Sequence, residues 1–453
     1  MATAVQEMRV RSASGKLLLL HGGDTFSDDL LGNLTRGAAT IELLNALEVE
    51  FLALGNHDFD YGVERTRELQ ALARFPMRGA NIVDTDGEPF LGPPFKIFQT
   101  GPARIAVLAL AYHNTAETGS RKNVAGLSFE SGIKAARRWV PRLRERADIV
   151  VVLSHQGTAV DRELARRVPG IDILIGAHSH DEISPPERIG ATWMVQALAD
   201  TAALGELTLT LAGDRRLKAV TGKVHTLWTD RYPPDPAIAR TIERLRAPHR
   251  AMLETPLGTA VESIGRQYKS ESPFDALTGE ILRQHTGAEL AFLPGVGYGV
   301  TLKPGIVTRE DLATLLPHPS KAATVSLTGR QILEVLEQSA TNQKPADPMD
   351  RVGGLVQTSG LRWTADLTRP VGQRVSNVSV GTAPLEPEKV YRVVTNQSML
   401  QGLHRYSSFA RGLDRVVLES SVTELVEAAL LKRGKIRAPA AGNIKLITAP
   451  GQR

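Results

Sequence analysis

The chain has 453 residues, 42% hydrophobic and 23% charged, with 54 Lys and Arg against 49 Asp and Glu for a net charge of +5. That length supports two or three domains, each burying its own core, and the balance is ordinary for a globular protein, so disorder is not the default. Cysteine is absent, which removes thiolate nucleophiles, Cys-ligated zinc and disulfides; no run reaches the roughly 18 apolar residues of a membrane span, and the charge excess is too diffuse to point to a nucleic-acid polymer.

Residues 2–9 read as the end of an amphipathic helix and 12–15 as a turn. From residue 16 the alternation is regular. A strand runs into His21-Gly22-Gly23-Asp24, a helix covers 37–47, a strand over 50–54 runs into Gly55-Asn56-His57-Asp58-Phe59-Asp60, and a helix covers 63–73. Strands over 95–99 and 104–110 flank the turn Thr100-Gly101-Pro102, and 129–145 reads as a helix whose Arg137, Arg138, Arg142, Arg144 and Arg146 form a solvated face. A strand over 149–153 runs into Ser154-His155-Gln156-Gly157; after another helix, a strand over 171–175 runs into Gly176-Ala177-His178-Ser179-His180. Strands over 193–196 and 206–211 close the region. This is βαβ grammar, in which ligands bind at the carboxyl ends of the strands.

Arg231-Tyr232-Pro233-Pro234-Asp235-Pro236 marks a linker, because its prolines forbid a helix interior and set up a new start; a bridging helix over 237–253 follows. The domains expected are therefore 1–230, a linker and bridge over 231–255, and 256–453. The last contains helices near 274–285 and 331–339, a Gly-rich segment Pro294-Gly295-Val296-Gly297-Tyr298-Gly299, and a loop over 341–351. The Gly-rich segment is no dinucleotide fingerprint, since Thr301-Leu302-Lys303-Pro304-Gly305 breaks any helix start.

A single histidine or aspartate after a strand is usually a cap or loop residue. Four polar strand ends in one alternating sheet, bearing Asp24, Asn56-His57, His155 and His178-x-His180, read instead as a hard-cation site. The set resembles the calcineurin-like metallophosphoesterases, and more closely their 5′-nucleotidase branch, over nearly the whole chain. The resemblance implies an α/β fold: an N-terminal calcineurin-like metallophosphoesterase β-sandwich with flanking helices, and a smaller α+β C-terminal 5′-nucleotidase-type domain. It implies two divalent metal ions, with Zn, Mn, Mg, Ca and Fe not distinguished. Asp24 is then the shared ligand, Asn56, His155 and His178 complete the second metal site, and His180 serves the first with Asp24. His57 falls at the catalytic histidine and Asp60 at its partner. The implied function is hydrolysis of nucleotides or related small phosphoesters, in proteins that are often periplasmic or extracellular.

The chain departs from that pattern at several points. No Asp-x-His strand precedes Asp24, which predicts a longer natural protein, and the first nine residues do not have the basic start and apolar core of an export signal. His21 stands where many relatives carry an acidic residue and reads as a strand-end histidine, with an extra ligand or a donor to a ligand as the alternative. Gly299 takes the place of a substrate-holding Arg, His318 and Ser398 replace two base-clamping Phe side chains, and His404 replaces an Asp; no substrate-contacting residue is assigned. Two alternatives stand beside the phosphoester hydrolase. One is a thiosulfohydrolase acting on carrier-bound sulfur, faintly suggested by Met349-Asp350-Arg351-Val352-Gly353-Gly354, although that branch departs from Gly-Asn-His. The other is a non-catalytic binding protein lacking its first metal.

Overall fold

The computed structural model describes residues 1–12, 17–267, 269–296 and 300–449. The chain divides into two compact units, Met1–His249 and Arg250–Arg453. Among the described residues no helix is long and apolar enough to cross a membrane.

The first unit is built on two sheets. A parallel three-stranded sheet pairs Leu20–His21 with Phe51–Ala53 and the latter with Met77–Arg78. A six-stranded sheet runs in the order Glu182–Ile189, Thr192–Ala197, Ile173–Gly176, Ile149–Ser154, Ala103–Leu110, Phe95–Thr100. Its four central strands are parallel and its two edge pairs antiparallel. The strands Ile149–Ser154 and Ala103–Leu110 are buried almost throughout, as expected for parallel strands covered on both faces. Phe51 and Ala53 pack toward Val107, Ala109, Val151 and Leu153 in one core, while Leu52 and Leu54 join Phe26, Phe59 and Met77 in another. Alternation along a single strand thus ties the two sheets together and brings their polar ends to one side.

The helices expected over 37–47, 63–73 and 129–145 form as Ala38–Ala46, Val63–Leu72 and Gly132–Arg144. Besides the two-residue strands Met77–Arg78, Ile82–Val83 and Ser128–Phe129, two long strands were not expected. Glu182–Ile189 holds Pro185 and Pro186, which argue against a strand except at an edge, and it lies at the edge of its sheet. Leu217–Thr226 pairs with Ala203–Leu211 in a hairpin. The single helix expected over 237–253 is not continuous: Pro236–Arg246 is followed by a 3-10 turn, Ala247–His249, around Pro248, and then by Arg250–Leu253.

The second unit centres on a five-stranded sheet ordered Gln357–Ser359, Leu290–Leu293, Val390–Asn396, Lys321–Thr328, Leu413–Ser421, beside a four-stranded sheet that includes Leu361–Asp366 and Ile444–Ile447. The helix expected over 331–339 is longer, Gly329–Gln343, because Thr328 and Gln331 form a capping box and the apolar face continues to Ala340. It absorbs the start of the loop expected over 341–351. Part of the expected turn over 12–15, and Gly297, Tyr298 and Gly299 of the Gly-rich segment, lie outside the described residues.

In this unit Arg266 meets Asp275 at 3.3 Å with both side chains buried, and its guanidinium also donates to the Leu315 carbonyl. Removing one member of such a pair strands a buried charge, at a cost of about 3–5 kcal/mol. Arg266→Met should lower the unfolding free energy by that amount in urea titrations, and adding Asp275→Leu should recover most of it.

Candidate metal and catalytic site

The expected ligands sit on loops at the carboxyl ends of two pairs of neighbouring strands, one pair in each sheet rather than four strands of the single sheet expected. Asp24 follows Leu20–His21, Asn56 and His57 follow Phe51–Ala53, His155 follows Ile149–Ser154, and His178 and His180 follow Ile173–Gly176. The loops have little room. Gly23 has φ +92°, and a Cβ there would strike the Ala53 carbonyl and reach 2.6 Å from the Gly55 nitrogen, while a Cβ on Gly55 would strike Asp24. Asp24, His178 and His180 themselves occupy left-handed backbone, with φ of 54°, 71° and 54°. Strained ligand-bearing loops persist only where their surroundings hold them.

Three side chains meet closely. The ligating atoms of Asp24, His155 and His178 lie within 4.8 Å of one another. The His155 Nδ1–H donates to the Gly22 carbonyl at 2.5 Å, which turns Nε2 toward Asp24 Oδ2, 2.9 Å away. Asp24 Oδ1 accepts from the His57 backbone N–H at 2.8 Å. Asn56 is buried, and its Oδ1 has no hydrogen-bonding partner among the described residues. His180 lies outside the three-residue group.

This donor set fits a divalent cation. Two ligand atoms about 2.1 Å from one ion and at right angles to each other lie about 3 Å apart, as Asp24 Oδ2 and His155 Nε2 do. A buried amide oxygen without a donor has the same explanation.

Electrostatics divides the histidines. Burial and the neighbouring His155 hold His178 well below the usual histidine range. Burial also pushes His21 down to about 4, and its Nδ1 accepts from the Gly23 N–H, so it sits neutral at the strand end. For His155, burial opposes the charge but the Asp24 carboxylate outweighs it and raises the pKa. Burial likewise opposes ionisation of Asp24, yet His155 and His57 carry its pKa below the usual carboxylate range. In His57, burial is outweighed by Asp60 and Asp24, which raise the pKa to about 10. Its Nδ1–H donates to Asp60 Oδ2 at 2.9 Å, and Ser27 Oγ donates to the same oxygen at 2.7 Å.

Several participants were missed by sequence reasoning. Asp58, between the two residues singled out, is buried and accepts from the backbone N–H groups of Asp24, Thr25 and Gly55 at 3.1, 2.8 and 2.7 Å. Burial and the Asp24 charge push its pKa up to about 7 against the pull of those amides. Tyr112 stacks on the His178 ring with centroids 3.9 Å apart. It follows the apolar strand Ala103–Leu110, so Tyr112-His113-Asn114 is a fifth polar strand end with the same grammar as the four recognised. Of the substrate-side departures, His318 and Ser398 are half-buried and His404 is buried, all in the second unit. Gly299 lies outside the described residues.

Comparison with known proteins matches residues 2–182 to the calcineurin-like phosphoesterase family and residues 252–411 to the 5′-nucleotidase C-terminal domain. The 5′-nucleotidase of Homo sapiens is 26% identical over 458 residues, covering 88% of this chain and 76% of that protein. Among solved structures, the sulfate thiohydrolase SoxB of Thermus thermophilus, in complex with glycerol, superposes with a TM-score of 0.91 at 28% identity, covering 100% of this chain and 82% of that one. A 5′-nucleotidase precursor, also from Thermus thermophilus, gives 0.87 at 26% identity, covering 99% and 93%.

Two outcomes follow from the site. Asp24→Ala and His178→Ala should each weaken Mn²⁺ binding by more than about 100-fold, beyond the ~10–100-fold expected for residues that only support a ligand; calorimetric titration of chelator-treated protein measures this. For His57 the folded pKa lies above the unfolded one, so its charge stabilises the fold fully below pH about 6.5, and that contribution is lost as pH rises toward about 10. In metal-free protein, NMR titration should find His57 still protonated at pH 8, and Asp60→Asn should lower its pKa by about 1–3 units.

Proposed function

Because the chain belongs to the 5′-nucleotidase family, with a calcineurin-like phosphoesterase region ahead of a 5′-nucleotidase C-terminal domain, we propose that it is a metal-dependent hydrolase of nucleotides or related phosphoesters. The observation that carries the reading is the Asp24–His155–His178 group on the same set of loops as the His57–Asp60 pair. In this reading residues 1–230 hold the metals and the catalytic pair, 231–255 form the link, and 256–453 bind substrate. Asp24, Asn56, His155 and His178 hold one cation, with Asp24 and His180 at a second. A pair of divalent cations supplies Lewis-acid polarisation and a clamp on the attacking and leaving oxygens of an in-line displacement.

The chain's own residues do the rest. Asp60, held by Ser27 Oγ and with its backbone carbonyl accepting from Asn123 Nδ2, fixes the His57 ring through Nδ1. Nε2–H, across the ring, is then the proton that stabilises charge on the phosphoryl oxygens and assists the leaving group. A pKa near 10 keeps this histidine charged at neutral pH. Asp58 holds the backbone beneath Asp24 so that its carboxylate faces His155.

Substrate choice follows from the second unit. With His318 and Ser398 at the base-clamping positions, stacking of ~1–3 kcal/mol per base is lost. A second reading is sulfate thiohydrolase chemistry, favoured by the 0.91 superposition on a protein of that name, in which water would release sulfate and a thiol from an S-sulfonated cysteine. Gly55-Asn56-His57 favours the phosphoester reading.

The test is a panel of bis-p-nitrophenyl phosphate, p-nitrophenyl phosphate, AMP and an S-sulfocysteine peptide with Mn²⁺-loaded protein. Phosphoester turnover is expected, with no marked advantage in kcat/KM for AMP. His57→Ala should lower kcat by about 10²–10⁴-fold while retaining metal. Sulfate release without phosphoester turnover would transfer the assignment to the second reading, and turnover by His57→Ala at the wild-type rate would remove His57 from the chemistry.

A further inference from the structure

The loop bearing His178 and His180 is held from beneath by a buried polar cluster that no ligand assignment includes. Gln196, at the end of Thr192–Ala197, is 1% exposed. One orientation of its amide satisfies its neighbours: Oε1 accepts from the backbone N–H groups of His180 and Asp181 at 3.2 and 3.0 Å, and Nε2 donates to Thr158 Oγ1 and Ser179 Oγ at 3.0 and 3.3 Å. Thr158 Oγ1 in turn donates to Asp181 Oδ2 at 2.6 Å, and the Thr158 N–H donates to Ser179 Oγ at 3.1 Å. Thr158 opens the helix Thr158–Arg167, three residues after His155. A single amide therefore joins the loop after His155 to the loop carrying His178 and His180.

The backbone there needs such a hold. His178 and His180 are both in the left-handed region, which a β-carbon disfavours, and they flank Ser179, whose hydroxyl is part of the cluster. The two N–H groups that Gln196 takes belong to His180 and to the residue after it. Without an acceptor they would be buried donors, and relaxing the turn would swing both imidazoles. The Tyr112 ring also stacks on His178, with the ring planes 30° apart. The structure assigns Gln196 as a positioning residue that sets the His178-Ser179-His180 turn in its cation-binding conformation by accepting the His180 and Asp181 amides. It touches neither cation nor substrate. The assignment rests on His178 being a ligand, and its test separates the two.

Gln196→Leu removes both halves of the amide, whereas Gln196→Glu keeps an oxygen toward the two N–H groups, with the Ser179 hydroxyl able to turn and donate to the carboxylate while Thr158 Oγ1 keeps its bond to Asp181. Three readouts are taken on chelator-treated protein: Mn²⁺ affinity by calorimetry, hydrogen exchange of the His180 and Asp181 amides, and the unfolding midpoint. Gln196→Leu should weaken Mn²⁺ binding by about 10–100-fold, as loss of a ligand's supporting partner does, and speed exchange at both amides; Gln196→Glu should restore affinity to within about threefold of wild type. His178→Ala run in parallel reports on the ligand reading alone. Wild-type affinity in Gln196→Leu, together with loss of binding in His178→Ala, would overturn the positioning role and spare the ligand. Wild-type affinity in His178→Ala would overturn the ligand reading. If Gln196→Leu does not fold, Gln196→Glu decides: slow exchange at both amides with affinity retained supports the role, and fast exchange with affinity retained overturns it.

Discussion

The constraint on which the first unit depends is the environment of one carboxylate. Asp24 takes the His57 backbone N–H on one oxygen, faces His155 Nε2 with the other, and gives its own N–H to Asp58. Two of the contacts come from the 3-10 turn His57–Phe59 and the third from the loop after Ile149–Ser154. A Cβ at Gly55 would strike the Asp24 carboxylate, and one at Gly23 would strike the Ala53 carbonyl, so the approach of the two loops depends on both glycines. Burial raises the cost of ionising Asp24, and the neighbouring His155 and His57, with His178, outweigh it and hold its pKa below the usual carboxylate range.

Most of this was legible in the chain because strand ends leave a strong signature. Apolar runs stopping at Asp24, Asn56-His57, His155 and His178-x-His180 are hard to produce by core packing alone, and the structure brings Asp24, His155 and His178 together. The two-unit α/β architecture was legible for the same reason: period-2 and period-3.6 stretches alternate through the first unit, and strand positions held to within a few residues. The edge strand Glu182–Ile189 was hidden by its two prolines, which are tolerated there because an edge strand has one side without ladder bonds.

Residues that act through hydrogen bonds to backbone were the least visible. Asp58 sits in the quoted motif, yet nothing in Asn56-His57-Asp58-Phe59-Asp60 says which carboxylate turns to the ring and which turns under the loop. In the 3-10 turn His57–Phe59, Asp60 comes alongside the ring, while Asp58 points inward to three amides. Gln196 lies 16 residues beyond His180 on a strand of ordinary composition, and only the parallel pairing of Thr192–Ala197 with Ile173–Gly176 brings it under the turn. Such partners are set by tertiary register, which local sequence does not encode.

The division of protonation states is the step that joins geometry to chemistry. Four histidines on neighbouring loops start from the same intrinsic pKa, and their environments drive them apart. His178 and His21 are held neutral by burial, whereas Asp24 raises the pKa of His155, whose second proton a bound cation would displace, and two carboxylates drive His57 up to about 10. A neutral imidazole is the form that ligates a cation, and an imidazolium is the form that donates to an anionic oxygen. The backbone settles the remaining ambiguity: the Gly22 carbonyl requires a proton on His155 Nδ1 and so directs Nε2 at Asp24, and Asp60 requires one on His57 Nδ1. In the proposed reading the roles follow ring orientation: the Gly22 carbonyl behind His155 turns Nε2 to Asp24, and Asp60 behind His57 fixes Nδ1 and, with Asp24, raises that histidine's pKa.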